Sequence, residues 1–187
     1  MFMHKKLAGS VIAAALVAAC ASTPEGTITT PERGPNLGAT PSAAKLAAMD
    51  ISIPPSGAGL PSGGADARAG AKVYAAKCAS CHGPKGEGKP ADRLVGGQGT
   101  LTKGPIRTVG SYWPYATTLF DYVRRAMPTT LPMSLTDEEA YGTSAYVLFL
   151  NGIIKEDEVM NAQSLPKVRM PNRDGFIDYS KKLRTSL

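Results

Sequence analysis

The chain contains little histidine and little cysteine, two histidines and three cysteines among 187 residues. One residue of each type, His4 and Cys20, lies within the first twenty residues, a segment with the features of a leader and its cleavage site. The residues of these types outside that segment are Cys78, Cys81 and His82. A structural zinc site needs four Cys or His ligands, so this set is one ligand short of a zinc site within one chain.

Aromatic residues and runs of charge are also scarce. Aromatic residues make up 6% of the chain, while glycine (20) and proline (15) are frequent, so much of the chain is not expected to form packed core. A buried covalent cofactor can supply the missing apolar surface. The formal charge is +6, or +4 (19 basic against 15 acidic residues) without the two lysines of the leader. No run of Lys or Arg accompanies this charge, which argues against a nucleic-acid partner.

The longest apolar run, Leu7–Ala19, has thirteen residues and is too short to cross a bilayer, which takes about 20. With its lysine-containing start and small residues at its end, it is typical of a secretory signal peptide. Its last four residues, Val17–Cys20, resemble a bacterial lipobox. This predicts residues 1–19 as a lipoprotein signal peptide and Cys20 as the lipidated first residue of the mature protein. Ordinary cleavage after Ala21 is the alternative and would release a soluble periplasmic protein.

The pattern Cys78-Ala79-Ser80-Cys81-His82 is the attachment signature of c-type haem. One helical turn places both thiols where they can form thioether bonds, and the following imidazole can bind the iron from below. A thioredoxin-like dithiol would instead need a βαβ pattern, whereas helical and glycine-rich segments surround this motif. The sequence therefore predicts one covalent haem c with His82 as an iron ligand.

The second axial ligand is restricted by composition. No other histidine follows the leader, and methionine is a common partner of histidine in electron-transfer haem proteins. The methionines after the leader are Met49, Met127, Met133, Met160 and Met170. Met127 leaves the end of a predicted helix just before Pro128, where a loop can present its thioether to the iron. Met133, six residues later, is the alternative.

Hydrophobic periodicity predicts three helices, at about residues 66–78, 116–126 and 136–151. The first begins with Asp66 as N-cap, and the third begins with a capping box from Thr136 and Glu139.

These helices define a predicted haem domain at residues 65–155. Residues 20–64 are rich in Pro, Gly, Ser and Thr, and the pattern leaves open whether they form a lipid-anchored flexible linker or a docking arm. Residues 156–187 are predicted as a C-terminal extension that wraps the surface. Its apolar anchors are expected to be Leu165, Val168, Met170 and Phe176.

The helices and ligands together resemble class I cytochromes c. In that family a glycine and an aromatic residue lie eight and four residues before the first haem cysteine, as Gly70 and Tyr74 do here. The methionine ligand is followed by proline and then by a Leu-Ser/Thr-Asp-Glu helix start, which Met127-Pro128 and Leu135–Glu138 resemble. The resemblance implies an all-α class I cytochrome c fold around one covalent haem, with an irregular N-terminal arm and a C-terminal wrapping tail. It also implies Met127 as the sixth ligand.

The same resemblance implies further contacts around the haem. The proximal histidine of the family donates a hydrogen bond to a proline carbonyl, and Pro90 is the candidate here. The candidates for contacting the haem propionates are Arg107, Tyr112 and Trp113.

Three stretches, Gly59–Gly63, Val109–Tyr122 and Leu165–Phe176, resemble the cytochrome c subunit of sulfite/sulfane dehydrogenases of the sulfur-oxidising (Sox) system. In that family the cytochrome takes electrons from a molybdenum subunit that oxidises the sulfur compound. The resemblance implies a periplasmic electron carrier with a molybdenum-containing dehydrogenase as donor and a downstream cytochrome or oxidase as acceptor. The lipobox adds a membrane anchor.

Two other functions are open at this point. The chain could carry electrons for a different periplasmic dehydrogenase, or it could be a haem enzyme or gas sensor with an open iron site. Two axial ligands leave no position for a substrate, so we expect no catalysis by this chain alone. A peroxidase would also need a distal histidine, and the chain after the leader offers none.

Overall fold

A computed structural model of the protein describes residues 38–177 and residue 179. The predicted signal peptide, residues 1–19, and the predicted lipidation site Cys20 lie outside these residues. Among the described residues, those up to Leu46 and those from Ala47 onwards belong to two separate units. A short helix, α1 (Ala43–Met49), has no buried residue. Among the described helices, none has the length and apolar character needed to span a membrane.

Short helices dominate the described part of the chain after α1. In chain order the elements are β1 (Gly64–Ala65), α2 (Ala67–Lys77), α3 (Ala79–His82), α4 (Ala116–Ala126), α5 (Asp137–Leu150), β2 (Met160–Asn161) and a 3-10 turn (Leu165–Lys167). The all-α prediction is confirmed, and α2, α4 and α5 lie at the predicted positions. The two-residue antiparallel ladder of β1 and β2 was not predicted. It forms because glycine permits the approach: a Cβ on Gly64 would lie 2.8 Å from the Met160 carbonyl oxygen.

The predicted helix starts are confirmed at the level of hydrogen bonds. Asp66 Oδ1 accepts from the Ala69 N–H at 2.9 Å at the start of α2. At the start of α5, Thr136 Oγ1 accepts from the Glu139 N–H, and the Glu139 carboxylate accepts from the Thr136 N–H. Each bond satisfies an N–H that has no partner inside its helix. After α5 the chain turns at Gly152 with φ 67°.

Helix α5 lies at the centre of the core and is buried on most of its sides. Helix α2 crosses it at two glycines, where a Cβ on Gly70 would lie 1.7 Å from the Gly142 carbonyl oxygen. Helix α4 packs on it through Phe120, whose ring centroid lies 4.3 Å from that of Tyr141. Helix α2 directly precedes the haem motif and helix α4 directly precedes Met127. Packing on α5 therefore positions both of these features.

Part of the segment predicted as linker or arm packs on the helices. Ile53 is buried, and its N–H donates to Asp121 Oδ1 on α4 at 3.1 Å. Tyr141 of α5 donates its hydroxyl to the Pro61 carbonyl at 2.9 Å. These contacts favour a docking arm over a flexible linker from Ile53 onwards.

The C-terminal extension contributes to the same core. Three of the predicted anchors, Leu165, Val168 and Met170, are buried, as is Met160. Phe176 is 50% exposed and makes an edge contact with Tyr112, so it does not enter the core as predicted.

Candidate functional site

The two cysteines of the haem motif lie one helical turn apart but in different surroundings. Cys78 is the N-cap of α3, half-buried against the core, whereas Cys81 is exposed. Burial raises the pKa of the Cys78 thiol to about 11. The turn is closed by the His82 N–H, which donates to the Cys78 carbonyl at 3.0 Å. The motif therefore presents one sulfur at the core and one at the surface.

The half-buried ring of His82 is oriented by a backbone carbonyl. Its Nδ1 lies 2.8 Å from the Asp92 carbonyl oxygen. Because a carbonyl only accepts, Nδ1 carries the ring proton and Nε2 presents a lone pair. This is the tautomer that a metal-binding histidine needs, with its outer nitrogen bonded to a second group.

The prediction of Pro90 as the partner of His82 is wrong, because the carbonyl that reaches the ring belongs to Asp92. The chain reverses at Lys89, which has φ 89° and whose N–H donates to the Ala91 carbonyl. This turn brings the carbonyl two residues after Pro90 to the histidine.

The loop after the motif is bonded back onto it. The Gly88 N–H donates to the His82 carbonyl at 2.8 Å, and the Ala91 N–H donates to the Cys81 carbonyl at 2.9 Å. Gly86, with φ 71°, packs so tightly that a Cβ there would lie 2.6 Å from Val95 Cγ2. The polypeptide on the histidine side of the site is thus a closed, glycine-dependent loop.

Tyr74 supports this loop from α2. Its hydroxyl donates to the Gly83 carbonyl at 2.9 Å, immediately after His82, and the side chain is 1% exposed. Burial raises its pKa to about 12. The Tyr146 ring of α5 lies 5.1 Å away, centroid to centroid. The structure therefore assigns Tyr74 a supporting contact with the backbone of the motif.

The candidate methionines occupy different environments. Met160 and Met170 are 0% and 1% exposed within the core, where they fill space between other side chains. Met49 and Met133 are 71% and 65% exposed. Met127 is half-buried and caps the end of α4, its N–H donating to the Val123 carbonyl.

The segment between α4 and α5 is held mainly at its ends. Arg124 Nε donates to Asp137 Oδ1 at 2.8 Å and so joins the last turn of α4 to the first turn of α5. Leu135 is buried next to the start of α5. Within the segment, the Leu131 N–H donates to the Pro128 carbonyl. The ion pair between Arg124 and Asp137 therefore fixes the distance between the two ends of the segment that carries Met127.

The three candidate propionate contacts form two side-chain pairs. The guanidinium of Arg107 lies 5.5 Å from the Tyr112 ring centroid. Trp113 is half-buried against the core, and its ring makes an edge contact with Tyr122 at 5.7 Å. The structure brings Arg107 and Tyr112 together, and a propionate role for these residues stays a prediction.

Two contributors were missed at the sequence level. The Asp92 carbonyl carries no sequence signal, since any residue has a carbonyl and only the loop path selects one. Asn151 was interpreted only as part of a helix exit, although its side chain bonds to Leu94 and Gly96. The sequence signal that could have indicated this role is the side-chain amide of Asn151 at the end of α5, which can both donate and accept hydrogen bonds.

The donor set and its surroundings fit a covalently bound haem c. Two thiols stand one turn apart, and the next residue carries an imidazole whose free nitrogen is Nε2. In the part of the chain that the structure describes, no three His, Cys, Asp or Glu side chains cluster as a metal site. The helices and this motif define a c-type cytochrome.

Comparisons with known proteins support the assignment to the c-type cytochromes. Residues 65–147 match the family described as cytochrome C oxidase, cbb3-type, subunit III. A chain in the crystal structure of the sulfane dehydrogenase SoxCD from Paracoccus pantotrophus is 36% identical, with a TM-score of 0.72. The match covers 81% of this chain and 76% of that one. No curated protein matches the chain.

The chain belongs to the cytochrome c family, as a cytochrome like that of the Sox system. It binds haem c covalently and is an electron carrier.

Proposed function

We propose that this chain is the electron-transfer subunit of a periplasmic sulfur-compound dehydrogenase. It accepts electrons from a molybdenum-containing subunit that oxidises sulfite or a sulfane compound, and it passes them to a downstream cytochrome or oxidase. The observation that carries this proposal is the 36% identity to a chain of a sulfane dehydrogenase, over 81% of this chain. That similarity extends beyond the 83 residues of the family match and so includes arm or tail sequence.

Within this proposal, Cys78 and Cys81 would form the two thioether bonds to the haem, and His82 and Met127 would bind its iron. The support for His82 is its tautomer, set by the Asp92 carbonyl. The support for Met127 is its half-buried place at the end of α4, while Met160 and Met170 are enclosed in the core.

The bound haem supplies a one-electron couple, and the chain's own residues hold the iron in a constant environment. The Asp92 carbonyl retains the His82 Nδ1 proton, and Tyr74 fixes the backbone that follows the ring. Both contacts restrict movement of the His82 ring and of the backbone that follows it.

We also propose the domain organisation and the location. Residues 1–19 direct export, Cys20 carries the lipid and residues 20–64 include the docking arm. Residues 65–155 form the haem domain, and residues 156–187 form the extension. A lipid at Cys20 would anchor the carrier to a bacterial membrane, with its haem domain in the periplasm.

The test is optical. The full-length protein is purified from its own membranes in mild detergent with whatever stays bound, and sulfite or thiosulfate is added while the haem absorption bands are followed. We expect reduction within the turnover time when a molybdenum-containing chain is present. A haem that stays ferric with both compounds, yet is reduced by ascorbate, would refute the sulfur role and indicate a carrier for another dehydrogenase.

A further inference from the structure

One asparagine, Asn151, makes more side-chain hydrogen bonds than its position at a helix end requires. Its Nδ2 donates to the Leu94 carbonyl at 3.2 Å, and its Oδ1 accepts from the Gly96 N–H at 3.0 Å. In addition, Gln98 Nε2 donates to the backbone carbonyl of Asn151 at 3.1 Å. Ending a helix requires partners only for the helix's own last carbonyls. These three bonds therefore hold the segment 94–98 against the end of α5.

The held segment continues directly from the carbonyl that orients the proximal ring. Asp92 accepts from His82 Nδ1 at 2.8 Å, and Leu94 follows two residues later. On the other side, the Ala91 N–H donates to the Cys81 carbonyl at 2.9 Å. The Asp92 carbonyl thus lies between a local bond to the haem motif and a long-range bond to α5.

The amide group suits this position because it donates and accepts at once. The Leu94 carbonyl needs a donor and the Gly96 N–H needs an acceptor, and one amide serves both. The packing is close, since a Cβ on Gly110 would lie 2.0 Å from Asn151 Oδ1. Few other side chains could satisfy both groups in this space.

We propose that Asn151 is a positioning residue for the proximal ligand, holding the Asp92 carbonyl against His82 Nδ1 through residues 92–94. The inference rests on the proposed assignment of His82 as the iron ligand. A hydrogen bond on the outer nitrogen fixes the ring and makes the imidazole a stronger base. A stronger base favours ferric over ferrous iron, so Asn151 lowers the reduction potential.

The experiment compares the full-length haem protein with its Asn151→Ala variant. At a fixed solution potential near the midpoint, we expect the ratio of reduced to oxidised protein to be about threefold higher in the variant, which corresponds to a weakened hydrogen bond. We also expect the His82 Nδ1 proton, followed by NMR of the ferric protein, to exchange with solvent about tenfold faster, because its acceptor is less firmly held.

Asn161→Ala is the matched control. Asn161 is also half-buried, and its Oδ1 accepts from the Gln163 and Ser164 N–H groups at 2.9 Å each. It lies in β2, whose hydrogen bonds do not involve residues 82–98. We expect a comparable loss of free energy of unfolding, with the reduction potential and the His82 proton exchange unchanged.

If Asn151→Ala moves neither readout further than Asn161→Ala does, the positioning role is overturned while the haem assignment stands. If the unaltered protein gives no iron-shifted His82 signal, the ligand assignment itself fails. Should the alanine variant not accumulate with haem, Asn151→Ser replaces it, because the serine hydroxyl is too short to reach the Leu94 carbonyl. The same shifts are expected for serine, and their absence contradicts the proposal.

Discussion

At the scale of single residues, the site depends on atoms that hold the haem motif from outside it. The carbonyl of Asp92 orients His82, and the hydroxyl of Tyr74 holds the carbonyl of the next residue, Gly83. Neither contact involves the motif's cysteines. Substitutions at these supporting atoms therefore test the site without removing the attachment chemistry.

Replacing Met127 by alanine tests the proposed sixth ligand. Loss of the thioether should lower the reduction potential and open the iron to carbon monoxide, because methionine ligation raises the potential and fills the site. The measurement is a redox titration together with carbon monoxide binding to the reduced protein. Met133→Ala is the control and should change neither. An unchanged Met127→Ala spectrum would move the assignment to Met133.

Replacing Tyr74 by phenylalanine removes one buried donor. We expect a loss of about 1–2 kcal/mol in the free energy of unfolding at pH 7, since the Gly83 carbonyl loses its partner. This loss is measured by denaturant unfolding, with the haem absorbance as the signal. The haem should stay covalently attached.

The contribution of Tyr74 to the free energy of unfolding should also depend on pH. Burial raises the pKa of Tyr74 from its usual value of 10.0 to about 12, so below pH 10 this side chain is protonated in both the folded and the unfolded chain. Between pH 10 and 12 the unfolded chain ionises first, and this part of the stability is lost as pH rises. The difference between wild type and Tyr74→Phe should therefore shrink above pH 10. A difference that is constant from pH 7 to pH 11.5 would contradict this account.

At the scale of elements, the crossing of α2 and α5 sets the position of the haem motif. The crossing requires two glycines, Gly70 and Gly142, with backbone touching backbone. Because α3 follows α2 directly, any displacement of α2 also displaces Cys78 and His82.

Gly70→Ala should therefore destabilise the protein, although the same change inside a free helix gains up to about 1 kcal/mol. The new Cβ would lie 1.7 Å from the Gly142 carbonyl oxygen, and the helices would have to separate. We expect a loss of about 3 kcal/mol, measured by denaturant unfolding. Lys72→Ala, at an exposed position of the same helix, is the control and should stay within about 0.5 kcal/mol. A stabilised Gly70→Ala variant would disprove the close crossing.

At the scale of the whole molecule, the arm and the extension complete the core around the helices. Asp121 of α4 accepts from the buried Ile53 N–H and forms an ion pair with Arg125. The ladder of β1 and β2 then joins the end of the arm to the extension. Residues 53–65 and 160–170 are therefore packed together with the helices.

Asp121→Ala should release the arm at its buried end. We expect a loss of about 1–3 kcal/mol, because the Ile53 N–H is left without an acceptor, and faster proteolysis of the segment around residues 51–57. Limited proteolysis with denaturant unfolding measures both effects. Asp174→Ala removes an exposed ion pair with Arg169 and should cost less than about 1 kcal/mol. Equal protease resistance in both variants would argue against the docking contact.

Cys20→Ser tests the proposed anchor. Without the thiol no lipid can be attached, and we expect the protein to move from the membrane fraction to the soluble periplasmic fraction. Cys81→Ser, which keeps Cys20, is the control and should stay in the membrane fraction. A Cys20→Ser protein that remains in the membrane fraction would contradict the lipobox interpretation.

Several features of the fold were predictable because they depend on neighbours in sequence. The helix starts at Asp66 and Thr136 follow from capping over three residues, and the end of α4 follows from Pro128. Their positions in the structure agree with the sequence pattern. The Cys-X-X-Cys-His spacing likewise predicts the haem c that the family confirms.

The sequence by itself determined the haem attachment motif and the three principal helices, because each is encoded within about four residues of chain. Only the tertiary structure decided that Asp92 and not Pro90 holds His82, that Gly142 faces Gly70, and that Asn151 holds the loop. Each of these joins positions whose distance in space depends on the path of a loop or the packing of helices. Local propensity and periodicity carry no information on that path.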